Sequence, residues 1–246
     1  MITLAGVYIL CRFVHFSALM SLAGAGAMTV MLAPEHYRQP LSQRLMPLMR
    51  AASWLTFLSA LLLLAAQTGL MGDGWQDILD GETWLAVLQT RFGLVWQGQL
   101  ACALLGCLAL WLRGSVRQTA LLLMALAQLA GLAFVGHAAM LEGWMGVLQR
   151  TNQMVHLIAA AFWAGGLVPV VLLMRLARQD KPQYEAIRTM MRFSRYAPSG
   201  GCAGADKRHG QRAADPWLAA RQFPPLQSAA AVKNPDGGGD DKHRPV

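Results

Sequence analysis

Charged residues are scarce in this 246-residue chain: Asp, Glu, Lys and Arg make up 14% of it, whereas 55% of the residues are hydrophobic. Soluble globular domains carry about 25% charged residues, so this composition argues against an ordinary soluble protein. The hydrophobic residues come in runs of ~20 or more, the length that a helix needs to cross ~30 Å of hydrocarbon. The sequence therefore predicts an all-α, polytopic transmembrane helix bundle.

Paired cysteines and enzyme motifs are also missing. The four cysteines show no CxxC spacing, which argues against a zinc site and against a disulfide framework. The chain has no Walker loop, nucleophile elbow, HExxH motif or paired carboxylates, so we do not expect an enzyme. The formal net charge is +8, but the basic residues lie between apolar runs and do not alternate with exposed aromatic residues. Nucleic-acid binding is therefore not expected.

Five apolar runs are long enough to span a lipid bilayer, and all of them precede residue 197. We interpret residues 1–196 as one transmembrane helical domain. A signal peptide is not expected, because the only early basic residue, Arg12, lies inside the first run. The runs cover approximately residues 2–33, 49–71, 92–112, 119–140 and 154–174.

The basic residues between these runs are distributed unequally. The segments that follow the first, third and fifth runs (residues 34–50, 113–118 and 175–196) together carry eleven Lys and Arg residues, whereas the segments on the other side carry only Arg91 and Arg150. Short cytoplasmic loops are enriched in Lys and Arg. The sequence therefore predicts that the N-terminus lies on the side of the membrane away from the cytoplasm.

Two other segments differ from the apolar runs. Residues 72–91 have Trp75, Trp84 and several leucines at roughly helical spacing, which fits a short amphipathic helix at the membrane surface. An ordinary loop anchored by interfacial tryptophans fits equally well. Residues 197–246 are rich in Gly and Pro, show no periodicity, and are expected to be a disordered tail.

Ionisable side chains inside a membrane are costly, so those that persist there are functional candidates. Three histidines, on three different apolar runs, fall near the predicted outer side of the bilayer. Methionines are found at the same depth. Imidazole and thioether are neutral ligands that suit copper, and thioether favours Cu(I). The predicted metal ligands are His15, His137, His156, Met140 and Met154.

Each of these residues also has a structural interpretation. A histidine in a membrane helix can be a hydrogen-bonded packing residue, and methionine is a common flexible filler of apolar helices. In the fifth run, Asn152, His156, Ala159 and Trp163 form one stripe, which is either the wall of a pathway or a helix interface. The AGAGA run at residues 23–27 predicts a packing face of small residues.

Five segments carry a resemblance to a known family, in order and with matching spacing: RFVHFSALM (12–20), LAAQTGLMGDGW (64–75), WLAVLQTRFGLVW (84–96), GHAAMLEG (136–143) and NQMVHLIAAAFWAGGL (152–167). They resemble the CopD/PcoD copper-resistance family. The similarity extends over about residues 3–196 and implies a bacterial inner-membrane protein, with its N-terminus in the periplasm, that moves copper across the membrane. It also implies a periplasmic CopC-like copper-binding partner, and it marks His15, His137 and His156 as copper-facing.

Two other functions are also compatible with these histidines. Histidines on separate helices also ligate haem in membrane b-type cytochromes, which are electron carriers. Haem b is therefore the alternative to copper as the bound group. The third hypothesis is a scaffold or accessory subunit whose histidines serve only for packing.

The family continues with further transmembrane helices after the MMRFSRY segment, whereas this chain becomes polar there. We therefore expect residues 197–246 to be the product of a reading-frame shift or gene rearrangement just after Tyr196. A genuine cytoplasmic tail is the alternative.

Overall fold

The computed structural model describes residues 3–136, 142–178 and 184–196, and all the described helices lie in one compact unit, Met1–Ala203. A π-helical turn, Met28–Leu32, extends the first helix, and 3-10 turns form at Gln76–Leu79 and Leu132–Phe134. The described residues contain no β-strand. Their α-helices are α1 Leu4–Ala27, α2 Glu35–Met71, α3 Gly81–Gln89, α4 Arg91–Ala109, α5 Gly114–Gly131, α6 Gly143–Ala177 and α7 Tyr184–Tyr196.

Five helical segments in the described part of the chain are long and apolar enough to cross a membrane, which confirms the predicted fold class. Large apolar side chains cover the outside of these helices; Ile9 and Phe13 on α1, for example, are 67% and 70% exposed. Such an outer surface suits lipid rather than water. The five segments are Leu4–Leu32, Glu35–Met71, Arg91–Ala109, Gly114–Phe134 and Gly143–Ala177.

The second and fifth of these helices begin earlier than the sequence pattern predicted. The apolar run of α2 begins near Met49, but the helix itself begins at Glu35, directly after Pro34. Tyr37, Leu41 and Met49 are buried along its first turns. This four-residue spacing gives the basic segment an amphipathic face that packs on the bundle, so it is helical and not a loop. In the same way α6 begins at Gly143, before the apolar run at Met154.

The five long helices alternate in direction. We call the end at which α1 begins the N-terminal end of the bundle, and the other the opposite end. α1 packs against α2, α5 and α6, while α4 packs between α2 and α5. Successive helices that are joined by short connections run antiparallel, so α1, α4 and α6 all start at the N-terminal end.

The segment between α2 and α4 contains a 3-10 turn and the short helix α3, so the helical interpretation of residues 72–91 is the correct one. Asp80 caps α3 by accepting hydrogen bonds from the Thr83 hydroxyl (2.6 Å) and backbone N–H (2.9 Å). These two donors hold the pKa of the Asp80 carboxyl below its usual range. The charged cap therefore persists during mild acidification and is lost only as the pH falls through that lowered pKa.

Helix α7 packs at the opposite end of the bundle. Arg192 donates a 2.9 Å hydrogen bond to the carbonyl of Leu32, and His36 on α2 lies 3.1 Å from the Glu185 carboxylate. The Phe193 ring contacts Phe162 of α6, with 5.6 Å between the ring centroids. The tail at residues 197–246, including its predicted disorder and frame shift, lies outside the described residues.

The predicted small-residue face forms the contact between α1 and α6. A Cβ atom on Gly24 would overlap the backbone of Gly165, and a Cβ atom on Gly165 would overlap the carbonyl oxygen of Met20. The two backbones therefore touch directly, as small residues allow in membrane helices. This contact sets the register of the parallel helices α1 and α6.

Replacing Gly165 by Ala should separate these two helices. We expect a loss of about 1–3 kcal/mol in the free energy of unfolding, because the added methyl group meets rigid backbone. Thermal unfolding of the detergent-solubilised protein measures the effect. The matched control is Gly98→Ala on α4, where an added Cβ meets nothing within 4 Å. Equal unfolding midpoints for the two variants would contradict the proposed contact.

Candidate functional site

A cavity of about 530 Å³ opens at the N-terminal end of the bundle, between α1, α2, α4, α6 and the end of α5. Its aromatic wall is formed by Phe92 and Trp96, whose rings stack with 4.9 Å between centroids. The Trp96 indole N–H donates a 2.8 Å hydrogen bond to the carbonyl of Ala60, which fixes the ring against α2. The cavity is therefore large enough for a small ligand and has a rigid apolar side.

The polar side of the cavity comes from α1 and α6. Tyr8 and Arg12 are one turn apart on α1, and Gln149 and Gln153 are one turn apart on α6. The Arg12 guanidinium lies over the Phe16 ring, 5.7 Å from its centroid. In the part of the chain that the structure describes, no carboxylate lines this cavity and Arg12 forms no salt bridge. The cavity thus carries one positive charge.

His15 lies behind the cavity wall, fully buried between helices. Its Nδ1 atom is 3.2 Å from the carbonyl oxygen of Thr56 and 3.0 Å from the Ser59 hydroxyl oxygen, both on α2. Because a carbonyl oxygen can only accept a hydrogen bond, Nδ1 must carry the ring proton. The Nε2 atom of the neutral ring therefore has a free lone pair.

No described residue hydrogen-bonds to this buried Nε2 atom. The imidazole packs against two residues of the cavity wall: its centroid is 5.9 Å from Trp96 and 6.4 Å from Phe16. A neutral imidazole whose other nitrogen donates to a carbonyl is the usual state of a metal-ligating histidine. The tautomer of His15 is therefore the one that ligation of a metal ion through Nε2 requires.

The other predicted ligands on α6 are placed differently. His156 is exposed on the outer face of the bundle, and Met154 is half-buried. By helix register His15 and His156 lie at the same level, since each is nine residues from the contact between Gly24 and Gly165. They nevertheless occupy different faces, and the structure does not bring them together.

The polar stripe predicted on this helix faces outward, so it is neither a cavity wall nor a packed interface. Asn152, His156 and Trp163 are exposed, and only Ala159 is partly covered. The cavity is lined instead by Gln149, Gln153 and Leu157. Their four-residue spacing was visible in the sequence, but α6 is apolar over most of its circumference, and the pattern alone did not show which side faces inward.

His137 and Met140 lie outside the described residues. In the ranges that the structure describes, no group of three or more His, Cys, Asp or Glu side chains is arranged to hold a metal ion. A metal site at His15 would therefore require ligands of another kind, such as thioether, or ligands outside these ranges.

Comparisons with known proteins place this bundle in a family. Residues 1–147 match the model of the N-terminal domain of copper resistance protein D-like proteins, which covers more than half of the chain. The chain belongs to the copper resistance protein D-like family. The matched region contains the Arg12 and His15 pair and the aromatic wall of the cavity.

A curated relative extends the similarity further along the chain. The inner membrane protein YebZ of Escherichia coli (strain K12) is 39% identical over 191 residues, which cover 78% of this chain and 66% of YebZ. The chain thus spans slightly less than two thirds of the length of that relative. No solved structure gives a significant match.

The ring-nitrogen assignment of His15 can be measured by ¹⁵N NMR on histidine-labelled protein. We expect a protonated Nδ1 and an unprotonated Nε2, because only Nδ1 faces the Thr56 carbonyl. The His15→Asn variant identifies the signal by its disappearance, and the exposed His36 provides a reference. A proton on Nε2 of His15 would contradict the assignment.

Proposed function

We propose that this protein moves copper ions across the bacterial inner membrane and so contributes to copper homeostasis and resistance. The family match supports a copper-related function, and the similarity to YebZ, an inner membrane protein, supports a location in the inner membrane. The five apolar helices provide the membrane-spanning body that such transport requires.

The observation that carries the proposal is the free Nε2 of His15 beside the cavity. A neutral nitrogen ligand binds copper without adding a buried charge, and thioether favours the Cu(I) state. Copper enters the cavity at the N-terminal end and binds His15, which lies behind the wall that Phe16 and Trp96 form. Met154, together with the predicted ligands His137, Met140 and His156, supplies the remaining candidates for the route.

Periplasmic placement of the N-terminal end is part of the proposal. A CopC-like protein can then deliver copper to this end. The acidic residues Asp73, Asp77 and Glu142 lie near it, whereas the arginines at the start of α2, around the start of α5 and at the end of α6 lie at the opposite end. This distribution follows the rule that cytoplasmic segments are rich in Lys and Arg.

Reporter fusions test this orientation. Fusions after Arg44, Arg117 and Arg178 should all report a cytoplasmic location, because these residues lie at the opposite end. A fusion after Asp73 should report the periplasm and serves as the internal control. A periplasmic signal at two of the three arginine sites would reject the proposed orientation.

His15→Asn is the sharpest test of the copper ligand. The Asn amide can still donate to the Thr56 carbonyl from a position close to Nδ1, but it lacks Nε2. We expect the purified variant to keep its unfolding midpoint. Its Cu(I) affinity should fall at least tenfold, since even the mutation of residues that only support a metal ligand costs on the order of tenfold or more in affinity. Proteoliposomes containing a Cu(I)-sensitive dye should show a matching loss of uptake.

The control is His36→Asn, because His36 is exposed at the opposite end and pairs with Glu185. Wild-type uptake by a folded His15→Asn protein would reject His15 as the ligand. In that case His156→Asn, on the outer face of α6, tests whether copper follows a route outside the cavity.

Haem b is the second candidate for the bound group. The same Nε2 lone pair, next to a cavity with an aromatic wall, also suits an axial ligand of haem iron. The absorption spectrum of the purified protein separates the two functions. A Soret band that disappears in His15→Asn favours an electron carrier, and bound copper without this band favours transport.

A further inference from the structure

The positive charge of the cavity favours an anionic ligand. Among the described residues that line it, Arg12 is the only charged one, and it has no carboxylate partner in these ranges. An arginine at this depth in a membrane helix is costly unless it meets an anion or water. Its planar guanidinium presents five donors in a geometry that matches phosphate oxygens.

The register of α1 and α6 places three more hydrogen-bonding side chains around Arg12. Counted from the Gly24 and Gly165 contact, Arg12 and Gln153 are both twelve residues away, and Tyr8 and Gln149 are both sixteen. The cavity therefore has two polar levels, each with one residue from α1 and one from α6. The phenol and amide groups can donate to an anion held by the guanidinium.

The remaining surroundings are apolar. Leu63, Leu132 and Leu157 line the cavity beside its aromatic wall. Next to Arg12 on α1, Ile9 and Phe13 are exposed on the outer surface of the bundle. A molecule with an anionic head and hydrocarbon chains can thus place its head at Arg12 and its chains along α1.

We propose that this cavity is a phosphate-binding site whose ligand is the headgroup of an anionic phospholipid from the surrounding membrane. Arg12 forms the charge-assisted hydrogen bonds to the phosphate, while Tyr8, Gln149 and Gln153 complete its coordination. The proposal concerns the residues of the cavity and does not depend on copper transport.

Thermal unfolding of the full-length, detergent-solubilised protein tests the site. Phosphatidylglycerol should raise the unfolding midpoint in a saturable way, and phosphatidylcholine with the same acyl chains should raise it less. In Arg12→Gln the apparent affinity for phosphatidylglycerol should fall on the order of tenfold, as expected for the loss of a charge-assisted pair. The matched control is Arg91→Gln, which removes an exposed arginine at the same end that pairs only with Glu142.

Two further variants separate binding from folding. Arg12→Lys keeps the positive charge but lacks the planar guanidinium group. Its affinity for phosphatidylglycerol should lie between those of the wild type and Arg12→Gln. Tyr8→Phe keeps the ring and removes one hydroxyl donor, so it should weaken binding less than Arg12→Gln does. These two variants carry the test if Arg12→Gln does not fold.

Glycerol phosphate without acyl chains distinguishes the sources of the phosphate. If it stabilises the protein as well as phosphatidylglycerol does, the phosphate site is supported but its ligand is a soluble ester, and the lipid source is rejected. The proposed phosphate site would be contradicted if phosphatidylglycerol and phosphatidylcholine raised the unfolding midpoint of the wild type equally and glycerol phosphate did not change it. An unchanged preference for phosphatidylglycerol in all Arg12 variants would overturn it as well.

Discussion

The direct contact between the backbones of α1 and α6 determines how the rest of the site is arranged. Gly24 and Gly165 permit an approach that any Cβ atom would prevent. In a membrane, where lipid is as apolar as the helices, such close packing is a main source of helix association. The contact also fixes the axial register of two parallel helices, so Arg12 lies level with Gln153, and Tyr8 with Gln149, in one cavity.

The cost of burying polar groups explains how the His15 side chain is held. Unpaired polar atoms are expensive in an apolar interior, so α2 contributes the Thr56 carbonyl and the Ser59 hydroxyl to the Nδ1 atom of His15. The Ser59 hydroxyl itself donates to the carbonyl of Leu55 at 2.5 Å. These bonds orient the imidazole and leave its second nitrogen free, which is the chemistry that a metal ligand needs.

Copper and phosphate binding would be coupled by electrostatics if both proposals hold. The Arg12 guanidinium raises the free energy of a cation near His15, because the two charges repel each other in a medium of low dielectric constant. A phosphate bound to Arg12 offsets this repulsion. The two ligands should then favour each other to the same extent, since thermodynamic coupling between sites is reciprocal.

The sequence by itself determined the all-α membrane class, the five spans, the small-residue face of α1 and His15 as a polar residue inside a span. Each of these follows from local composition or spacing, because the free energy of transfer into lipid depends on the residues of one segment and not on its partners. The tertiary structure alone decided that Gln153 and not His156 faces the cavity, and that Thr56 and Ser59 hold His15. A mostly apolar helix has no strong polar face to show its orientation, and the partners of His15 lie on another helix, so packing decides both.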